Sequence, residues 1–437
     1  MININLIFLF FAGIAFLGFI LNALFDRIKI ASILPLMIIG LAIGPVLRLV
    51  SVGQSSIIPQ LTPFITAIAV SFILFDVGLN MNVVSLQRVI ARTSAFTVSL
   101  VAATAVVLAL PAFFIFHWTA LESIIFALAV AGPSSVIVPT LMRVTSISPD
   151  LKTALLYESI SSDIFTLMIP VVLAGFLLAY NVTPTVVIST LFYAVFGSLI
   201  LGSVSALFWL YILNRFSEHS KSYRWMLTIT MVVATYGLAQ QLLLNGAITV
   251  FVFGIMLSNI GYSAVKQDGA HTPTFVEKYL VIGKGIGHIK RYQGEIVFFV
   301  STFFFVYIGL LFNLSQLNLG VVIAAVLMSM IILMVRYLFI PMIRPYMSKD
   351  SEGYKPDRSV ALFNVARGMT PAIVATVPLS LGITIPYFLN QIFLIILFTN
   401  LITTAGMLLT YRPKRQLRKE QRQLQGRRQP RAAPSSA

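Results

Sequence analysis

The sequence predicts an all-α polytopic membrane protein, with about 13 transmembrane helices in an inverted repeat that contains two broken helices. Three observations support this fold class. Of the 437 residues, 58% are apolar and only 10% are charged, whereas soluble proteins contain about 25% charged residues. Apolar windows of transmembrane length follow one another along the whole chain. Two of these windows carry glycine and proline in their middle, at corresponding positions of the two repeats.

The apolar windows are long enough to be transmembrane helices, because about 20 apolar residues cross a bilayer core of about 30 Å. They are continuously apolar rather than alternating, which favours helices over the strands of a membrane barrel. The first window has no basic residue before it, and we interpret it as a retained helix rather than a signal peptide. The predicted spans, numbered 1 to 13, lie at about 5–25, 31–50, 60–81, 90–113, 120–142, 153–178, 184–213, 222–243, 246–260, 294–313, 318–345, 358–379 and 386–410.

The basic residues predict the orientation of these spans. All but Arg48, Arg336 and Arg367 of the 30 Lys and Arg residues either follow an odd-numbered span or lie in the C-terminal tail. Cytoplasmic loops are enriched in Lys and Arg. We therefore expect the N-terminus outside and the C-terminus in the cytoplasm, in the plasma membrane or bacterial inner membrane.

The predicted domains are a transmembrane domain over residues 1–411 and a basic, disordered cytoplasmic tail over residues 412–437. The tail is rich in Arg, Gln, Pro and Ser, a composition typical of disorder. It is expected to contact anionic lipid of the inner leaflet. The net charge of +16 therefore belongs to the tail and the cytoplasmic loops, and it does not indicate a nucleic-acid partner.

Other kinds of chemistry are not indicated by the sequence. The chain has no cysteine, which excludes disulfides and thiolate metal sites. It contains no Walker loop, GxSxG or HExxH motif, and its four histidines are scattered. An intramembrane lipid-modifying enzyme would be expected to carry a DDxxD-like or histidine cluster, and the sequence has none. A purely structural protein or a receptor would not need two broken helices. We expect neither an enzyme nor a cofactor.

Two spans are interrupted near their middle. Span 5 contains Ala131-Gly132-Pro133-Ser134-Ser135, and span 12 contains Arg367-Gly368-Met369-Thr370-Pro371. Proline removes a backbone donor and glycine permits non-helical geometry, so both helices can unwind here. A single such site would be an ordinary kink.

The two interruptions correspond if spans 1–6 (about 5–178) and spans 8–13 (about 222–410) are repeats joined by span 7 (about 184–213) as a linker helix. Corresponding spans of the two repeats are seven spans apart. Because seven is odd, the second repeat crosses the membrane in the opposite orientation to the first. Interrupted helices paired in this way point to a transporter's binding site.

Five ionisable residues lie inside spans, where such groups usually mark an ion pathway: Asp76, Glu158, Asp163, Arg336 and Arg367. In span 6, Ser159 and Asp163 are four residues apart and share a helix face, with Glu158 and Ser162 as an adjacent pair. Carboxylate, hydroxyl and free carbonyl oxygens suit a hard monovalent cation. A carboxylate withdrawn from water also takes up a proton readily. We predict that Asp163 binds a cation or a proton in competition.

The sequence leaves alternative roles open for several of these ionisable residues. Asp163 could instead be a buried acid that pairs with an arginine. Glu158 and Arg367 are expected to form a structural ion pair. Asp76 is either a second cation ligand or a capping group near a helix end, and Arg336 is expected to extend toward the cytoplasmic surface.

Motifs along residues 5–410 resemble the monovalent cation:proton antiporter family of the sodium/proton exchanger type. The family's LP…GxxxGP, LFxxGL, GES…ND, FxxxGL and RG…P elements are similar to Leu34-Pro35…Gly44-Pro45, Leu74–Leu79, Glu158–Asp163, Phe305–Leu310 and Ala366–Pro371. The resemblance implies a mobile core domain around two crossing broken helices, a dimerisation domain, a homodimer and alternating access. It implies Na⁺ and H⁺ as transported ions, with Asp163, Ser159 and Asp76 as the cation-binding residues. A K⁺/H⁺ antiporter or potassium efflux system of the same superfamily is the alternative.

The sequence departs from the family pattern at two places. Ala131-Gly132-Pro133 stands where the family usually has Thr-Asp-Pro. A contribution from span 5 would then come from backbone carbonyls such as that of Ala131, or from Ser134 and Ser135. Ser162 stands where many members have Asn or Asp, and a single aspartate at this point favours electroneutral one-for-one exchange.

Overall fold

The computed structural model describes residues 12–20, 33–47, 60–80, 90–134, 137–138, 147–178, 184–215, 224–266 and 274–410. The regular structure within these ranges is helical throughout. We number the helices α1 (residues 12–20), α2 (Ile33–Leu41), α3 (Thr62–Asn80), α4 (Ile90–Phe116), α5 (Ala120–Ala129), α6 (Pro149–Asp163), α7 (Ile169–Ala174), α8 (Pro184–Arg215), α9 (Arg224–Gln241), α10 (Gly246–Lys266), α11 (Thr274–Leu311), α12 (Leu319–Ile343), α13 (Ser351–Phe363), α14 (Met369–Ser380) and α15 (Phe388–Thr410).

The prediction of an all-helical polytopic membrane protein is confirmed. Within the described ranges, seven helices are long and apolar enough to cross a membrane, and shorter apolar helices lie at Leu34–Val46, Ala120–Ala129, Gly246–Asn259 and Met369–Ser380. Every predicted span contains helix in its described part. The predicted tail over 412–437, and Ser135, lie outside the described residues.

Both predicted interruptions are non-helical. We call residues 130–134, which follow α5, break 1, and residues 364–368, between α13 and α14, break 2. Break 2 lies earlier than the sequence suggested: it begins at residue 364, and Pro371 already lies in the first turn of α14. A proline is tolerated there, since its missing N–H group would have no helical acceptor in any case.

Helix α6 changes its hydrogen-bond pattern at Asp163. Residues Ile164–Met168 form a π-helical segment before α7 continues the same span. Segments of this kind are rare and often lie at functional sites. The sequence did not predict this irregularity.

Two pairs of glycines bring four helices into close contact. A Cβ atom at Gly254 of α10 would lie 2.5 Å from the carbonyl oxygen of Phe75, and Gly78 of α3 faces it. A Cβ atom at Gly309 of α11 would lie 2.8 Å from the Cα atom of Gly40 in α2. Because small residues let helix backbones approach closely, these contacts pack α3 on α10 and α2 on α11. We call α2, α3, α10 and α11 the glycine-packed group.

Candidate functional site

Breaks 1 and 2 are in direct contact. The backbone N–H of Ser134 donates a hydrogen bond to the carbonyl oxygen of Ala366, with an N···O distance of 2.9 Å. A Cβ atom at Gly368 would lie 2.9 Å from the Cβ of Ser134, so only glycine permits this approach. Ser134 and Ala366 are 232 residues apart in sequence. The two unwound segments therefore form one structural unit.

Arg367 caps the first broken helix. Its Nε donates to the carbonyl of Val130 at 2.6 Å, and its Nη2 donates to the carbonyl of Ala131 at 2.9 Å. The last carbonyls of a helix have no helical N–H partner and carry partial negative charge, which a guanidinium stabilises. The Ala131 carbonyl, proposed from the sequence as a cation ligand, is thus already an acceptor for Arg367.

Glu158 forms its ion pair with Arg336, not with Arg367. The two carboxylate oxygens accept from Nη1 and Nη2 of Arg336 at 2.6 and 2.9 Å, and both side chains are buried. Arg336 also donates to the carbonyl of Ala361 in α13. The expected Glu158–Arg367 pair and the expected surface position of Arg336 are therefore wrong. The planar fork of Arg336 matches the carboxylate, whereas the break carbonyls already engage Arg367.

Asp163 lies against the start of α14. The hydroxyl of Thr370, in the first turn of that helix, donates to Oδ1 of Asp163 at 2.6 Å. Only 4% of Asp163 is exposed. The N-terminus of a helix has N–H groups without helical acceptors and carries partial positive charge, which stabilises a carboxylate nearby. The sequence placed Asp163 at the site but did not identify Thr370 as its partner.

The serines of α6 make contact with break 1. Ser162 donates to the carbonyl of Pro133 at 3.3 Å and to that of Ser159 at 3.0 Å. Gly132 is packed on it, because a Cβ atom at that position would lie 2.7 Å from the Cβ of Ser162. Ser159 is buried, and its hydroxyl donates to the carbonyl of Leu156 in its own helix.

Asp76 lies on α3, partly buried. Its Oδ1 has no hydrogen-bond partner within the described part of the chain, and the carboxylate interacts electrostatically with Lys290 of α11. Asn80, at the C-terminal end of α3, donates a hydrogen bond from its side chain to the backbone carbonyl of Asp76 at 2.9 Å. The ligand and capping roles that the sequence left open for Asp76 both remain predictions.

The sequence missed three polar residues near the breaks. Asn400 of α15 donates to the carbonyl of Arg367 at 2.6 Å. Asp357 is buried and accepts from the backbone N–H groups of Ser148 at 3.0 Å and Ser348 at 2.7 Å. Asn364, in break 2, is fully buried, and its amide has no hydrogen-bond partner among the described residues.

Asp357 and Asn364 flank the RG…P segment in sequence, and this position is the signal that points to them. Asp357 immediately precedes predicted span 12. Asn364 lies inside that span, three residues before Arg367.

Comparisons with known proteins agree with this arrangement. The family model described as sodium/hydrogen exchanger, transmembrane, matches residues 12–410. A structure of the sodium proton antiporter MjNhaP1 from Methanocaldococcus jannaschii at pH 8 is similar, with 18% identity and a TM-score of 0.67, over 94% of this chain and 99% of that chain. An electron-microscopy map of MjNhaP1 gives 17% identity and a TM-score of 0.67, over 94% and 100% of the two chains.

At this level of identity, the two structures establish a shared fold. Comparison with curated proteins finds no match. The family model covers most of the chain, including both breaks and the helix that carries Asp163. The chain therefore belongs to the sodium/hydrogen exchanger family of multi-pass membrane transporters and is not an enzyme.

Proposed function

We propose that the protein exchanges Na⁺ for H⁺ across the membrane, and that the Asp163 carboxylate binds one ion or the other. The observation that carries this proposal is the position of Asp163, buried against the first turn of α14 and hydrogen-bonded to Thr370. Breaks 1 and 2 meet beside Asp163. Backbone N–H and C=O groups that would be hydrogen-bonded within a continuous helix are therefore close to this carboxylate. In this proposal, further oxygen atoms for a cation come from Ser159 and Ser162 of α6, from Ser134 of break 1, and from Asp76 of α3.

Of the other buried charges near the site, the Glu158 carboxylate is neutralised, whereas the Arg367 guanidinium is stabilised by backbone dipoles and its Nη1 has no hydrogen-bond partner among the described residues. Arg336 neutralises Glu158 through two hydrogen bonds, and the carbonyls of break 1 stabilise Arg367. Asp163 is thus the carboxylate whose charge changes when an ion binds or leaves. One Na⁺ or one H⁺ neutralises it equally, which supports electroneutral one-for-one exchange.

This competition also accounts for coupling between the two ions. A charged carboxylate is costly to move through the low-dielectric membrane interior, whereas the Asp163 carboxylate loaded with Na⁺ or H⁺ is neutralised. The elements that carry Asp163 would then change sides only when loaded, because the unloaded state meets a higher barrier. Uncoupled leakage of either ion is suppressed for the same reason.

The inverted repeat is part of the proposal, and the glycine contacts support it. With α1–α7 (about 5–178) and α9–α15 (about 222–410) as repeats and α8 as linker, α2 corresponds to α10 and α3 to α11. The Gly78–Gly254 contact of α3 with α10 then corresponds to the Gly309–Gly40 contact of α11 with α2. A pseudo-two-fold axis in the membrane plane would relate the two contacts.

The breaks support the same relation. Ser162 of α6 donates to the carbonyl of Pro133 in break 1, and Asn400 of α15 donates to the carbonyl of Arg367 in break 2. In each proposed repeat, the helix after the break thus holds the break by a side-chain hydrogen bond. The proposal also includes about 13 transmembrane spans and an N-terminus outside the membrane. It further includes a homodimer and contact of the C-terminal tail with lipid.

Exchange is tested with purified protein in proteoliposomes that contain a pH-sensitive dye. Addition of Na⁺ is expected to change the internal pH in the wild type but not in Asp163→Asn. Asp150→Asn is the matched control, because Asp150 lies on the same helix but is exposed, and it should retain exchange. Near-normal exchange by Asp163→Asn would overturn the assignment of the site.

The same assay separates the remaining alternatives. A response to K⁺ without a response to Na⁺ would favour a K⁺/H⁺ antiporter or potassium efflux system. An electroneutral exchanger should run at the same rate with and without an imposed membrane potential. A rate that changes with the potential would contradict one-for-one stoichiometry.

A further inference from the structure

A cavity of about 630 Å³ lies between the start of α3, the end of α11 with the segment that follows it, and the C-terminal half of α14 with the segment that leads into α15. Thr62 lines it from α3 and Ala375 lines it from α14. Its other polar lining residues are neutral amides and hydroxyls, among them Asn313, Gln316 and Asn390. Groups of this kind can replace part of a cation's hydration without holding it tightly, as an entry path requires.

Helix α14 connects this cavity to the ion site. Ala375 lines the cavity, and Thr370, five residues earlier, is hydrogen-bonded to Asp163. At about 1.5 Å of rise per residue, the two positions are about 8 Å apart along the helix axis. Every residue of α14 from Met369 to Pro378 is buried, including Ala375 of the cavity wall.

A pair of threonines joins α3 to α14 beside the cavity. Thr66 of α3 donates to the hydroxyl of Thr376 of α14 at 2.9 Å. Thr66 is one helical turn from Thr62 of the cavity wall, and Thr376 follows Ala375. Both threonine side chains are buried. The bond joins the glycine-packed group to the helix that touches Asp163.

We propose that the Thr66–Thr376 pair is a gate that separates the cavity from Asp163 and opens when the ion site exchanges ions with that side. The proposal rests on the proposed function. The gate consists of two neutral hydroxyls, which can separate without leaving a buried charge uncompensated. A second hydroxyl pair, Thr62 with Tyr307, joins α3 to α11 within the glycine-packed group. That bond stays intact when α14 moves.

The absence of cysteine from the chain permits a direct test by cross-linking. Thr66→Cys with Thr376→Cys is prepared in the full-length protein, oxidised with diamide in proteoliposomes, and then reduced with dithiothreitol. Thr97→Cys with Ser161→Cys is the matched control. These two hydroxyls are 3.4 Å apart between α4 and α6, and neither residue lies on α3 or α14.

Oxidation is expected to lower Na⁺-dependent exchange of the Thr66/Thr376 variant by about tenfold or more, and reduction should restore it, because gating motions limit turnover. The oxidised control should keep its exchange. Full exchange by the cross-linked Thr66/Thr376 variant would overturn the gate. So would failure of its cysteines to cross-link while the control pair does.

A second measurement does not depend on transport and separates failure of the gate from failure of the proposed function. Ile373→Cys places a thiol on the fully buried face of α14 between Thr370 and Thr376. A membrane-impermeant thiol reagent should label it about fivefold faster or more when Thr66→Val is added, because the gate is then weakened. Thr399→Val, a buried hydroxyl that bonds only within α15, is the control. Equal labelling with and without Thr66→Val would overturn the proposal, whatever ion is transported.

Discussion

Arg367 donates a hydrogen bond to the carbonyl oxygen of Ala131, at 2.9 Å, and thereby joins the break of one broken helix to the end of the other. Ala131-Gly132-Pro133 stands where the resembled family pattern has Thr-Asp-Pro. An aspartate at this point would add negative charge beside helix-terminal carbonyls that are already partly negative. Among the described residues, the Arg367 side chain instead donates hydrogen bonds only to backbone carbonyls. This charge–dipole contact adds to the backbone hydrogen bond of Ser134 with Ala366 in joining breaks 1 and 2.

Arg367→Lys should reduce exchange by about tenfold and lower the thermal stability of the purified protein. Lysine keeps the charge but is a single point donor, so it cannot serve the carbonyls of Val130 and Ala131 with the geometry of a guanidinium. Exchange rate and melting temperature in detergent measure the two effects. Arg358→Lys, on the exposed part of α13, is the control and should change neither. Equal behaviour of the two variants would argue against the capping role.

Loss of one partner of the Glu158–Arg336 pair should destabilise the protein more than loss of both. Removal of one member of a buried ion pair leaves an uncompensated charge, at a cost of about 3–5 kcal/mol, whereas apolar replacement of both is often close to neutral. We expect Glu158→Leu and Arg336→Met each to lower the melting temperature, and the double variant to recover most of the loss. A double variant as unstable as the sum of the single ones would contradict the pairing.

Thr370→Val should weaken cation binding at Asp163. The hydroxyl of Thr370 donates to the carboxylate and stabilises its charged form, which is the form that binds a cation. Without it, the proton competes better, so half-maximal exchange requires more Na⁺ and moves to a more alkaline pH. Exchange measured over a pH and Na⁺ series tests this shift. The Thr399→Val variant should keep the wild-type pH profile, and an unchanged profile in Thr370→Val would remove Thr370 from the site.

Gly309→Ala should destabilise the packing of α2 on α11. The added methyl group would lie 2.8 Å from the Cα atom of Gly40 and would meet the Met37 carbonyl, and overpacking of this kind costs about 1–3 kcal/mol. Gly237→Ala is the control, because nothing lies within 4 Å of a Cβ atom at that position of α9. The melting temperature should fall only in Gly309→Ala. A fall of the same size in Gly237→Ala would point to backbone effects instead of close contact.

Much of the candidate site could be predicted from sequence, because few ionisable residues are placed inside long apolar windows. Asp163 stands out for that reason, and the glycine–proline pairs identify both breaks. The partner of Glu158 could not be predicted in this way. Arg336 and Arg367 are both arginines within apolar windows, and neither periodicity nor spacing reveals which guanidinium faces the carboxylate.

The sequence by itself determined the all-helical membrane class, the two interruptions and the aspartate between them, since these follow from hydropathy and local backbone chemistry. Only the tertiary structure decided the contacts: Glu158 with Arg336, Arg367 with the carbonyls of break 1, and Thr370 with Asp163. Each of these contacts joins residues more than 170 positions apart. The physical reason is that helix packing, not local sequence, brings such groups within hydrogen-bonding distance.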